Sequence, residues 1–129
     1  MDLKDAVAAD EDQIPDGNSM EKERYAFRVE YFGESGIAVN KILTHDEKNR
    51  AAVNASRMRG GQPYDAVEPL RAMLIEQMAW LHVSLEEKPK FMKDLGVVFD
   101  DDLIRQVWEV VLEHERIFRK SRKTASSGA

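Results

Sequence analysis

Cysteine is absent from the 129 residues of this chain, and its lack excludes several kinds of chemistry. Without thiols the chain forms no disulfide, no thiolate zinc site and no cysteine nucleophile. This usage is typical of proteins in a reducing cytosol. Long apolar runs are also lacking: none approaches the roughly 20 residues that span a bilayer, and the first residues hold no signal-peptide core. We therefore expect a cytoplasmic protein without a membrane partner.

Motifs for catalysis or cofactor binding are lacking as well. The three histidines, His45, His82 and His114, share no short spacing, and His114 begins no HExxH pattern because Phe118 replaces the second histidine. Gly60-Gly61 lacks the spacing and the lysine of a phosphate-binding loop, and no GxSxG element is present. The sequence predicts no metal, no cofactor and no enzymatic activity.

Charge is unevenly distributed along the chain, although its formal sum is only −5. Residues 1–19 carry a net charge of −5, residues 20–119 carry −3, and residues 120–129 carry +3. The ends also lack the apolar content of a core, so we expect a disordered acidic head (1–19), a single folded domain (20–119) and a flexible basic tail (120–129). An acidic body gives no electrostatic footprint for nucleic acid.

The segment from Arg24 to Tyr31 alternates apolar and polar residues with period two, which predicts a half-buried strand. A turn is expected over Gly33–Gly36, and the β-prone segment Ile37–Leu43 then pairs back to form a hairpin. A lone hairpin is marginally stable, so its aromatic face must pack on another element.

Three helices follow in the sequence pattern. Thr44 and Glu47 form a capping box that begins the first, which ends at Gly60-Gly61; the second covers about 66–83 with Asp65 as its N-cap; the third covers about 101–119. The apolar stripe predicted to be buried on the second helix is Leu70, Met73, Leu74, Met78 and Leu81. The stripe predicted on the third is Ile104, Val107, Trp108, Val111, Leu112 and Phe118. We expect a mainly helical α+β fold, with an N-terminal β-hairpin packed on about three helices.

Methionine and aromatic residues on the last two helices are the candidates for a protein-binding groove, because methionine adapts to varied apolar partners. The same helical spacing also fits ordinary core residues, and that alternative stays open. The candidate protein-binding residues are Met73, Met78, Trp80, Trp108 and Phe118.

The order of these elements resembles a known family. The strands YAFRVEYF and GIAVNKIL, the capped helix THDEKNRAAV and the closing helix with VLEHERIFR are similar to the tail assembly chaperones of long-tailed bacteriophages, over about residues 24–119. This resemblance implies a protein in the cytoplasm of the bacterial host that binds the tape-measure protein, a long helical rod, and keeps it soluble during tail assembly. It also implies self-association, for which the edge of the aromatic hairpin is a candidate, and no catalytic residues.

Two other interpretations remain open at the sequence level. The chain could be a phage structural or neck protein retained in the virion, whose hairpin joins a neighbouring sheet. It could also be a small regulatory adaptor that binds a host protein or nucleic acid through its basic tail. Both alternatives, like the chaperone, act by binding and not by catalysis.

Overall fold

A computed structural model describes residues 14–98 and 100–127 of the chain, apart from the side chains of Val97 and of residues 125–127. Its elements are the strands β1 (Arg24–Tyr31), β2 (Glu34–Lys41) and β3 (Leu85–Glu87) and the helices α1 (His45–Met58), α2 (Pro69–Ser84) and α3 (Asp101–Ser127). Short 3-10 turns lie at Tyr64–Ala66, Lys90–Met92 and Leu95–Val97. The fold is the mainly helical α+β arrangement that the sequence predicts.

The sheet is antiparallel with strand order β1-β2-β3. Strand β1 has the predicted bounds, but the turn lies at Phe32-Gly33, and β2 begins at Glu34 and not at Ile37. Both loop residues have positive φ, +48° and +80°, as in the type I′ turns that match the twist of paired strands. The predicted turn at Gly33–Gly36 is wrong because the backbone ladder continues through Glu34 and Ser35 without needing apolar side chains there.

Gly36 holds β2 against the segment that follows β3. A Cβ on Gly36 would lie 2.6 Å from the Cβ of Pro89, closer than two non-bonded carbon atoms can approach. The missing side chain therefore lets Pro89 pack on the strand. Met92, which follows shortly after Pro89, is fully buried, and Phe91 packs against the main core.

Helix α1 begins as predicted. The Thr44 hydroxyl accepts from the amide of Glu47, while the Glu47 carboxylate accepts from the Thr44 amide at 3.0 Å and from Lys41 Nζ at 2.7 Å. The lysine hydrogen bond is the largest cause that lowers the pKa of Glu47 to about 2, followed by the Thr44 amide. The helix is peripheral, because its buried apolar residues are only Ala51 and Ala55.

Helix α2 begins three residues later than predicted. Glu68, not Asp65, is its N-cap, and its carboxylate accepts from the amides of Leu70 and Arg71 at 3.1 and 2.9 Å. Pro69 occupies the first helical position, where a missing amide costs little. Asp65 lies instead in the 3-10 turn Tyr64–Ala66.

Helix α2 is buried on two sides, which the predicted single stripe did not foresee. Leu74 and Leu81 belong to the main core, while Ile75 and Ala79 pack on Ala55 of α1. Leu70 and Met73, predicted to be buried, are 57% and 37% exposed. They lie in the first turn and a half of α2, on a part of its surface that neither α1 nor the sheet covers.

Helix α3 continues to Ser127, eight residues beyond its predicted end, so the part of the basic tail that the structure describes is helical. Lysine and arginine are good helix formers, and extending an existing helix needs no new nucleation. Its predicted stripe is correct at Ile104, Val107 and Val111 but wrong at Leu112, which is exposed.

The main core joins this helix to the sheet and to α2. Its buried members are Phe27, Val29, Ala38, Leu74, Leu81, Leu85, Met92, Leu95, Leu103, Ile104, Val107 and Val111.

His114 is fully buried, which its spacing in the sequence did not predict. Its Nε2 donates to the Lys22 carbonyl at 2.7 Å, and its Nδ1 accepts from Asn40 Nδ2 at 2.9 Å. Burial is tolerated because both ring nitrogens have partners. Residues 1–13 of the predicted acidic head lie outside the described part of the chain.

Candidate protein-binding surface

The predicted binding residues occupy three places in the structure. Met78, Trp80 and Trp108 are half-buried and pack against the main core. The two tryptophan rings meet edge to face, with centroids 6.2 Å apart and planes at 86°. This contact joins α2 to α3. The two tryptophan rings therefore have a structural role, and only their exposed parts are open to a partner.

Met73 and Phe118 lie apart from that tryptophan pair. Met73 is exposed on the first half of α2. Phe118 is half-buried on α3, where the guanidinium of Arg122 lies 4.9 Å from its ring centroid. The structure therefore brings Trp80 and Trp108 together but does not gather all five candidates into one groove.

Exposed apolar side chains concentrate in the segment from the second half of α1 to the first turns of α2. Among the described residues seven large apolar side chains are exposed, and five of them lie between positions 53 and 73. We call these five the hairpin patch: Val53, Met58, Tyr64, Leu70 and Met73. Scattered single apolar residues are normal on a surface, so it is their concentration between positions 53 and 73 that marks this segment as a candidate interface.

The antiparallel packing of α1 and α2 brings the end of α1, with Met58, to the part of α2 that follows Leu70 and Met73, whereas Val53 lies on the face of α1 opposite to Ala51 and Ala55. Ala55 packs on Ile75 and Ala79, and Arg59 Nη1 donates to Glu76 Oε1 at 2.6 Å. The end of α1 is thus level with the middle of α2. The connecting loop and the first turns of α2, with Tyr64, Leu70 and Met73, project beyond the end of α1.

The loop that carries part of the patch is held in place by hydrogen bonds. Arg59 Nε donates to the Gln62 carbonyl at 2.9 Å, and its side chain is only 12% exposed. Gly60 and Gly61 have φ of +67° and +79°, a conformation that closes a helix and that glycine adopts at little cost. The turn therefore fixes the direction in which the patch faces.

A groove continues from the patch between the two helices. It is lined by Arg50, Asn54, Arg57, Met58, His82 and Val83, with a volume of about 410 Å³. Met58 belongs to both the groove and the patch. No carboxylate lines the groove, so its fixed charge comes from Arg50 and Arg57. Burial, followed by the charge of Lys88, lowers the pKa of His82 and so favours its neutral form.

Sequence reasoning missed four of the five patch residues as binding candidates. Val53 and Met58 are the larger apolar residues of a helix with little other apolar content, and Leu70 was predicted to be buried because it continues the spacing of α2. One signal was available: α1 offers mainly alanine to its neighbour, so its two larger apolar side chains had little to pack against. Tyr64 had no such signal, because a loop tyrosine has no periodicity.

The described residues present no metal site and no membrane-spanning helix beside this surface. No cluster of three or more His, Asp or Glu side chains has the geometry of a metal site there. A further groove of about 660 Å³ lies between β2 and the 86–93 segment, and both acids and lysines line it. None of the helices in the described ranges has the length and apolar content needed to cross a bilayer.

Compared with known proteins, the chain matches no family model, no curated protein and no solved structure.

Proposed function

We propose that this chain is a protein-binding domain that holds an amphipathic helix of another protein on the hairpin patch and its adjoining groove. The observation that carries the proposal is the concentration of exposed apolar side chains between positions 53 and 73, from the second half of α1 to the first turns of α2. A partner helix presents anchors at positions i, i+3, i+4 and i+7, and such a stripe fits a groove between two antiparallel helices.

The composition of the surface indicates which helices it would accept. Met58 and Met73 have flexible side chains that re-pack around different apolar shapes, which suits a partner with many similar helical segments. Arg50 and Arg57 favour acidic residues beside the partner's apolar stripe. Binding would cover that stripe and so keep the free partner from aggregating.

The specific role we propose is that of a phage tail assembly chaperone acting on the tape-measure protein in the bacterial cytoplasm. The support for this role is the resemblance of the chain over about residues 24–119, together with an exposed surface suited to helices. A tape-measure protein is a long helical rod, and copies of the chain bound along it would lie close enough to contact each other.

Co-expression with a tape-measure protein encoded near this gene would test the proposal. We expect the chain to raise the soluble fraction of that protein and to co-purify with it. The double variant Leu70→Asp with Met73→Asp should abolish both effects, because two carboxylates would be buried without partners in the interface. Both positions are exposed in the free chain, so the fold should persist by circular dichroism.

The matched control is Leu112→Asp, which places the same charge at an exposed apolar position on α3, outside the patch. It should rescue solubility like the unchanged chain. Equal loss in the control and the double variant would contradict the assignment of the surface. Absence of co-purification with the unchanged chain would contradict the partner. Substitutions at Met78 or Trp108 are poorer tests, since both side chains pack against the core.

A further inference from the structure

Strand β2 has an outer edge that its neighbour β3 covers only in part. Strand β3 has three residues and pairs with β2 only at Val39 and Asn40. The chain leaves the sheet after Glu87, so the part of β2 before Val39 has no further strand on that side among the described residues. One strand position of the sheet is therefore open beside residues 34–38.

The register of the hairpin shows which backbone groups face this open edge. In an antiparallel pair alternate residues bond to the partner strand, and the residues that flank a two-residue turn form the first bonded pair. The bond from the Ile42 amide to the Glu23 carbonyl, at 2.9 Å, continues the same alternation. The amides and carbonyls of Ser35 and Ile37 therefore point away from β1, toward the open edge.

These outward backbone groups have no backbone partner within the part of the chain that the structure describes. Ser35 is half-buried and Ile37 is only 6% exposed, and backbone groups in such surroundings favour a hydrogen-bonding partner. The outer edge of β1 differs, because the side chains of Asn18 and Gln106 bond to its outward groups. The two edges of the sheet are thus unequal, and the open one belongs to β2.

A groove of about 660 Å³ lies along the open edge. One wall is the first half of β2, and the other is the segment that follows β3. Pro89 packs against Gly36 and fixes the second wall to the strand. Phe91 gives this wall an apolar part, and its ring stacks on that of Tyr31 with centroids 5.8 Å apart. The groove therefore combines unpaired backbone groups with an apolar surface.

The charged side chains of the groove favour an acidic occupant. Those that line it are Lys88, Lys90, Lys93, Glu34, Glu86 and Glu87. Arg24 Nε donates to both oxygens of Glu86, at 2.9 and 3.0 Å, so this carboxylate is compensated from outside the groove. None of the three lysines makes an ion pair in the described ranges. Three cations then remain against two carboxylates, a balance that attracts negative charge.

We infer that the open edge of β2 is a docking site for an extended acidic segment of a partner protein, which pairs with Ser35 and Ile37 as a further strand of the sheet. A strand offers alternating donors and acceptors, whereas the backbone groups of a helix bond within the helix itself. The apolar side chains of the segment contact Phe91, and its carboxylates meet the lysines. The inference goes beyond the proposed function and does not depend on it, because the hairpin patch lies on α1 and α2.

Hydrogen exchange with a peptide probe tests the inference on the full chain. The probe has about six residues, a usual strand length, of alternating valine and glutamate with blocked ends. NMR follows the exchange of the Ser35 and Ile37 amides. We expect both to exchange at least about tenfold more slowly with saturating peptide, because each becomes hydrogen-bonded, while amides of residues 53–73 keep their rates.

Two comparisons test the backbone pairing and the charge separately. Ser35→Pro removes a donor from the open edge and none from the pairing with β1, so it should weaken binding at least about tenfold. Ser35→Ala keeps that amide and should bind like the unchanged chain. A probe with lysine in place of glutamate should bind about tenfold more weakly.

Three results would overturn the inference. They are no binding at about 1 mM valine–glutamate peptide, binding that leaves the exchange of Ser35 and Ile37 unchanged, and equal binding of the glutamate and lysine probes. If Ser35→Pro does not fold, the exchange of these two amides in the unchanged chain still decides whether the segment pairs with β2.

Discussion

The side chain of Asn18 hydrogen-bonds to the backbone of β1 in the way that a neighbouring strand would. Its Oδ1 accepts from the Ala26 amide at 2.9 Å, and its Nδ2 donates to the Ala26 carbonyl at 2.7 Å. Further along the same edge, Gln106 Nε2 lies 3.4 Å from the Glu30 carbonyl. Open strand edges invite pairing with other chains, so these contacts restrict the hairpin edge that the sequence suggested for self-association.

Replacing Asn18 by alanine should therefore destabilise the domain. Two hydrogen bonds are lost, and both backbone groups of the buried Ala26 are left without that partner, so we expect a loss of about 2 kcal/mol in the free energy of unfolding. Urea titration measures this. Asn49→Ala, at an exposed position on α1, is the control and should change stability by less than about 0.5 kcal/mol. An equal effect of the two substitutions would contradict this role.

At the residue scale, local interactions were predictable and distant ones were not. The capping box of Thr44 and Glu47 was foreseen because its two partners are three residues apart. The burial of His114 was not, because its partners Lys22 and Asn40 lie 92 and 74 positions away. Asn18 likewise has its partner on a strand that begins only after a turn.

At the scale of single elements, the hairpin has one feature that opposes its own stability. Phe32 has φ of +48°, where a side chain with a large ring is strained, and it is 87% exposed, so its ring gains little from burial. Its main contact is with the neighbouring Tyr31 ring, edge to face at 4.7 Å. The hairpin forms because pairing along eight residues of each strand outweighs this local cost.

Substitution at Phe32 should separate the backbone strain from the ring contact. Phe32→Asn and Phe32→Ala both remove the ring, but asparagine tolerates positive φ and favours this turn type. We expect Phe32→Asn to be more stable than Phe32→Ala by about 1 kcal/mol, measured by thermal unfolding. Equal stabilities would show that the backbone at this position is unstrained.

Element ends were less predictable than element types. Helix α2 begins at Pro69 because the carboxylate of Glu68 accepts two backbone hydrogen bonds at once. From the sequence alone, Asp65 was an equally suitable N-cap. The end of α3 moved to Ser127 because nothing in KSRKTASS stops a helix that has already formed. In both cases the competing signals were local and of similar strength.

At the scale of the whole molecule, His114 joins three parts of the fold: the N-terminal segment through Lys22, the sheet through Asn40, and α3 itself. Burial lowers its pKa, although the Lys22 carbonyl and the charge of Glu115 oppose that effect. The ring is therefore held in its neutral form, with the proton on Nε2.

This arrangement makes stability depend on pH. The folded pKa of His114 lies below its unfolded value of about 6.5, so between the two the unfolded chain binds more protons. The contribution of His114 is complete above about pH 6.5 and is lost as the pH falls toward the lowered pKa. We expect a smaller free energy of unfolding at about pH 5.5 than at about pH 7.5, measured with urea.

Substitutions at the two histidines test whether this pH dependence of stability comes from His114. His114→Gln should flatten the dependence, even if it lowers stability at every pH. His82, whose pKa is also lowered, contributes its own share, so His82→Gln should leave the part due to His114 in place. A pH dependence unchanged by His114→Gln would contradict the assignment.

The candidate surface, too, is a property of the whole molecule. Which apolar residues remain exposed depends on where α1 ends relative to α2, and that offset is set by contacts such as Ala55 on Ile75 and Arg59 to Glu76. Sequence spacing shows that Leu70 and Met73 share a face with core residues. It does not show that the first turns of α2 extend beyond the end of α1, which leaves this face exposed there.

The place of α3 in the chain also has a consequence for how the protein is made. The hairpin is complete once Lys41 has been synthesised, but the apolar residues of α3 that join its core, up to Val111, follow about 70 residues later. At typical translation rates that gap lasts roughly 4 to 14 s. A nascent chain therefore exposes an aromatic strand face for seconds, and we expect stable structure to form only when the last helix has left the ribosome.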